Sequence, residues 1–143
     1  MDIATLLKFA LDNKASDLHL SGDNPPMLRI DGELQRIKTD KLTGDQIRTL
    51  VFSVMSEENR IAYERDFELD FAIAIAPDAR FRVNAFTNRA GSAAVFRSIP
   101  SKIPTLEDLN CPPVIKRLSE LEKGLVLVTG ATGFVGGNLA RQL

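Results

Sequence analysis

The sequence predicts an α+β fold, an antiparallel sheet with flanking helices that leads into the opening of an α/β nucleotide-binding domain. Three observations carry the prediction. Apolar residues recur at helical spacing in two early segments, the period changes to two from residue 67 onward, and an apolar run from Leu125 ends in a glycine-rich turn. With 143 residues, 44% of them hydrophobic, the chain is long enough for one core.

The elements follow in order. Ile3, Leu6, Leu7, Ala10 and Leu11 mark one buried face of a first helix that Asp2 can cap. Asn13-Lys14 breaks that pattern. Ser16 to Leu20 then alternates, with Leu18 and Leu20 toward the core and Asp17 and His19 away from it. After Gly22 and Pro25-Pro26, the runs Met27–Ile30 and Glu33–Ile37 flank Asp31-Gly32, the pair that a type I′ hairpin turn requires. Thr43 and Gln46 form a capping box for a helix with the stripe Ile47, Leu50, Val51, Val54 and Met55. Ser56 caps the next helix, with Glu57 and Glu58 favourably placed at its positive end.

From Phe67 the phase is that of a strand, with Phe67, Leu69, Phe71, Ile73 and Ile75 on one face. Pro77-Asp78 turns it into a return strand, Arg80 to Phe86. A second turn at Asn88 to Gly91 gives a third strand, Ser92 to Ile99, and completes a meander. Thr105 with Asp108, and Pro112-Pro113 ahead of Val114, Ile115 and Leu118, predict two short helices that finish at Gly124. The boundary is expected near Lys123-Gly124, with one module over residues 1–123 and the start of a nucleotide-binding domain over 124–143.

Composition removes several function classes. Eighteen basic residues against nineteen acidic, a net charge of -1, provide no overall field for nucleic acid or anionic lipid. The single Cys111 excludes an intrachain disulfide framework, and with one histidine, His19, no metal cluster is expected. The start Met1-Asp2-Ile3 lacks the pattern of a secretory signal, and the apolar runs are too short to span a bilayer, so a cytoplasmic location is the default expectation. His19 reads as a satisfied surface or interface histidine, and Asp17 and Glu33 as structural carboxylates. Arg80 and Arg82 share a strand face, and the return strand can bring Arg97 beside them as a small cationic patch. The competing reading of those arginines is a solvated face paired with Glu68 and Asp70.

Four strings in order, Ala15–Ser21, Pro25–Gly32, Arg80–Phe86 and Ala94–Lys102, resemble the amino-terminal domain of the PilT family of type IV pilus retraction ATPases, over about Leu7 to Gly130. The resemblance implies a PAS-like module that packs, in a hexamer, against the ATPase core of its own chain and of its neighbour. It further implies ATP and magnesium as the parent family's cofactors, pilus retraction and twitching motility as its function, and the pilus machinery at the inner membrane as its partner. It implies no nucleic-acid partner and no membrane insertion. By the same resemblance, Arg82 and Arg97 are expected to reach nucleotide phosphates across a subunit boundary.

The end of the chain departs from that family. A P-loop places a lysine against the β and γ phosphates and a hydroxyl on magnesium. Aligned from Gly130, this chain has Val135 for the second glycine, Gly136 for the lysine and Gly137 for the serine or threonine. The segment Leu125 to Leu143 instead resembles the opening of an extended short-chain dehydrogenase or sugar epimerase, with Gly130, Gly133 and Gly136 in its spacing and Thr132 within the loop. Such glycines allow a tight turn and close approach of a pyrophosphate, which makes NAD the alternative cofactor. The chain therefore reads as a truncated hybrid that binds no nucleotide alone. Three functions are open: an inactive fragment of a hexameric motor ATPase, a NAD-binding epimerase or reductase fragment, or a stand-alone PAS-like interaction domain.

Overall fold

The computed structural model describes residues 2–127. They divide into a first unit that ends at Ser101 and a second that begins at Lys102. The first unit runs α1 (Ile3–Asp12), β1 (Asp17–Leu20), β2 (Met27–Ile30), β3 (Glu33–Arg36), α2 (Gly44–Phe52), α3 (Glu57–Asp66), β4 (Glu68–Ala76), β5 (Ala79–Asn88) and β6 (Gly91–Ile99). One antiparallel sheet takes the order β3-β2-β1-β6-β5-β4, so the amino-terminal hairpin and the later meander meet where β1 pairs with β6.

Local chemistry sets these elements. Asp2 accepts a hydrogen bond from the Thr5 amide at 2.8 Å and starts α1. Thr43 and Gln46 bond reciprocally across the first turn of α2, and Ser56 accepts from the Asn59 amide to start α3. Asp31 and Gly32 have φ of 49° and 86°, the left-handed pair that closes the β2–β3 hairpin.

Register sorts the sheet into two faces. Leu28, Leu18, Phe96, Val83 and Phe71 stand opposite one another in sequence across β2, β1, β6, β5 and β4. This row forms the floor of a core that α1 covers with Ile3, Leu6, Leu7 and Ala10, α2 with Ile47 and Val51, and α3 with Tyr63. The Tyr63 hydroxyl bonds the Phe86 carbonyl and the Thr87 and Ser92 hydroxyls, which ties α3 to the β5–β6 hairpin. Because side chains alternate along a strand, the flanking residues of that row project to the opposite face, which none of these helices covers.

Three sequence expectations change. Phe67 does not begin the long strand; it caps α3 at φ 59°, donates its amide to the Tyr63 carbonyl and is exposed. In the second unit, Thr105 and Asp108 exchange the capping hydrogen bonds that the sequence suggested, but the segment closes as turns rather than a helix. The following helix, α4 (Pro113–Ser119), stops short of Gly124. Leu125, Val126 and Leu127 are exposed, and the glycine loop with Gly130, Thr132, Gly133 and Gly136 lies outside the described residues.

Candidate functional site

The face of the sheet opposite α1, α2 and α3 carries two adjacent rows of side chains. In the first, Arg29 on β2 opposes Asp17 on β1, Asp17 opposes Arg97 on β6, and Arg97 opposes Arg82 on β5. In the second, His19 opposes Val95, Val95 opposes Asn84, and Asn84 opposes Asp70 on β4. Alternation on the five strands places both rows on one surface, where His19, Asp70, Arg82, Asn84, Val95 and Arg97 line an open cavity of about 450 Å³.

Asp17 is the anchor of the first row. It is 4% exposed although it faces away from the core, because flanking arginines and Ser16 enclose it. Arg97 donates Nε to Asp17 Oδ1 at 2.9 Å, the Ser16 hydroxyl donates to Oδ2 at 2.8 Å, and Arg29 Nε lies 3.5 Å from Oδ2. Burial pushes the Asp17 carboxyl upward, but the bonds from Arg97 and Ser16 outweigh it and hold the group below the usual carboxylate value. A stable carboxylate thus fixes Arg97 by one nitrogen. Both Nη groups of Arg97 have no protein partner among the described residues.

Arg82 is held differently. Its Nε bonds both Asp70 oxygens at 3.1 and 3.2 Å and its Nη2 bonds Oδ2 at 2.6 Å, a fork that lowers the Asp70 pKa. The meander therefore brings Arg82 and Arg97 side by side, as the sequence suggested, and the face also pairs Arg82 with Asp70. Arg80 is exposed but does not line the cavity, and Glu68 opposes Phe86 without an arginine pair among the described residues.

His19 is half-buried, and its Nε2 is enclosed without a hydrogen-bond partner. Burial, with Arg29 and Arg97 nearby, lowers its pKa against the opposing pull of Asp17, so the ring is neutral at pH 7. The sequence predicts a satisfied surface or interface histidine; among the described residues Nε2 has no partner, because its cross-strand neighbours, Met27 and Val95, carry no polar side-chain group. Glu33 is exposed on β3 opposite Ile30, so it and Asp17 are not brought together.

The cluster is suited to an anion with several oxygens: two guanidinium groups on one surface, one of them with unpaired nitrogens, and a neutral histidine beside them. No Phe, Tyr or Trp ring lines the cavity; the one ring there is the His19 imidazole. Among the described residues no group of three or more His, Cys, Asp or Glu is placed to hold a metal ion, and Cys111 is a free, half-buried thiol. No described helix is long and apolar enough to cross a membrane.

No family model matches the chain. A type IV pilus retraction ATPase, PilT, of Pseudomonas aeruginosa is 47% identical over 133 residues, 93% of this chain and 39% of the relative. A twitching motility protein of Neisseria gonorrhoeae is 42% identical over 108 residues, 76% of this chain and 29% of the relative. The crystal structure of the pilus retraction motor PilT with bound ADP superposes with a TM-score of 0.74 at 36% identity, over 99% of this chain and 42% of that one. The chain thus spans about two fifths of the PilT proteins it matches.

Proposed function

The chain is homologous to the amino-terminal region of PilT, the type IV pilus retraction ATPase, and on that premise we propose that it is the regulatory and docking module of a hexameric ATP-driven motor. The module extends to about Lys123 and the beginning of a nucleotide-binding domain follows. Its work is done in the cytoplasm, against the pilus machinery at the inner membrane, with other copies of the motor subunit as its immediate partners.

The observation that carries this reading is the adjacency of Arg82 and Arg97 on the sheet face opposite the three helices. The face fits the phosphate tail of a nucleotide held by a neighbouring subunit, because it offers fork-shaped donors of positive charge and no Phe, Tyr or Trp platform for the base. ATP bound there would supply the phosphoryl group whose hydrolysis drives the motor. Arg97, oriented by Asp17, and Arg82 would bind and orient that group from across the boundary. On its own the chain turns over no ATP, since Val135, Gly136 and Gly137 stand where a P-loop has glycine, lysine and a hydroxyl residue.

The test is hydrolysis by a complete hexamer that carries this module. Arg82→Glu is expected to lower kcat by about 10²-fold or more, the scale on which charge-stabilising groups act, while the hexamer still assembles. Full activity of that assembled variant would remove the trans role.

A further inference from the structure

The two arginines of the site are not equivalent, and the difference points to a device that the homology does not supply. Arg97 is tied to Asp17 through Nε alone, and neither Nη group has a protein partner among the described residues. Arg82 presents its Nε and Nη2 edge to Asp70, one of the guanidinium edges whose two parallel N–H groups match two oxygens of a phosphate. Asp70 and Arg82 line the same cavity as Arg97, and their side chains are 43% and 67% exposed, so the pair is open to solvent and to exchange.

We propose that Asp70 is an internal competitor at the anion site, a carboxylate that occupies a phosphate-binding edge of Arg82 until an incoming phosphate displaces it. Arg97 is then the standing ligand and Arg82 is recruited by exchange. An exposed ion pair is weak enough for this role, being worth only a few-fold in an equilibrium. Its position on an edge strand supports the same conclusion. Asp70 lies on β4, the outermost strand of the sheet, so its carboxylate can swing away without disturbing an inner strand. The proposal rests on the reading of this face as a phosphate site, and the test separates the two.

The experiment uses the 143-residue chain and inorganic pyrophosphate, titrated at 0.15 M salt while the arginine Nε–H resonances are followed by NMR. Screening over about 8 Å at that salt weakens the effect of a remote charge. Asp70→Asn is expected to tighten pyrophosphate binding about three- to fivefold, and in an Arg82→Gln background the same change is expected to alter it by less than about 1.5-fold. Equal gains in both backgrounds, or no gain in either, would overturn the competitor while leaving the anion site in place, provided that wild-type binding is lost in Arg97→Gln. If pyrophosphate shifts no resonance of the wild type or of Asp70→Asn, both the competitor and the phosphate reading fall. Asp70 and Arg82 are solvent-facing, and the unchanged chemical shifts of the core would show that each variant is folded.

Discussion

At the residue scale the site depends on where charge is buried and where it is left in water. Asp17 is the one buried charged side chain among the described residues, and its partners Arg97 and Arg29 keep most or a third of their own surface exposed. The arrangement avoids the cost of a fully buried pair, since only the carboxylate is desolvated. His19 has the opposite balance: its neutral form is favoured by burial and by Arg29 and Arg97, with only Asp17 acting the other way, while Asp70 and Arg82 share its cavity. A histidine whose folded pKa lies below its ordinary 6.5 binds protons more readily when unfolded, so stability falls as pH drops below 6.5 and levels once the folded group protonates. Asp17 and Asp70, whose carboxyls are held below their ordinary value, act separately, below about pH 3.8, where their contribution is lost. Because His19 is the sole histidine, urea unfolding between pH 7 and 5 is expected to show a positive slope no steeper than the one-proton limit of about 1.4 kcal/mol per pH unit. The slope is expected to flatten in His19→Gln. A slope that survives unchanged would assign the titration elsewhere.

At the element scale, what could be read from sequence was what neighbours in the chain decide. Asp31-Gly32, the Thr43–Gln46 box and the Ser56 cap are contained within four residues each, and all three appear as expected. Phe67 was misplaced because period-two counting extends backward through any apolar residue in phase, whereas its position was settled by the end of α3, at a φ that phenylalanine seldom adopts. The burial of Asp17 was illegible for a different reason: its partner Arg97 is 80 residues away, and no local pattern specifies that β1 pairs with β6. Close approach at Gly44 was also invisible. A Cβ there would lie 2.6 Å from the Ala90 carbonyl oxygen and 2.8 Å from Gly91 Cα, where the first turn of α2 meets the β5–β6 turn. Both obstacles are backbone, so neither can rotate aside. Gly44→Ala is expected to destabilise the protein by about 1–3 kcal/mol despite the better helix propensity of alanine, as overpacked sites do. Its midpoint in urea, compared with that of wild type at an unchanged m value, measures the loss, and an unshifted midpoint would mean that the α2 contact relaxes freely.

At the scale of the whole molecule, the question is which stretch of chain is sufficient to build the face that carries Arg82 and Arg97. Every residue of the core cluster, from Ile3 on α1 to Phe96 on β6, precedes Ser101, and so do all six strands and every side chain that lines the cavity. The sheet closes its own order through the β1–β6 pairing, which joins the first hairpin to the meander across nearly the full length of the unit. Such nonlocal pairing makes the unit cooperative, because the cavity floor cannot form until both halves have come together. A chain that ends at Ser101 is therefore expected to fold, to unfold in a single urea transition reported identically by circular dichroism and by Tyr63 fluorescence, and to retain the Arg82 and Arg97 resonances of the longer protein. Non-coincident transitions would show that residues beyond Ser101 are needed to hold the sheet together. In that event the module would have to be taken to Lys123, where the order of elements in the sequence suggests a boundary.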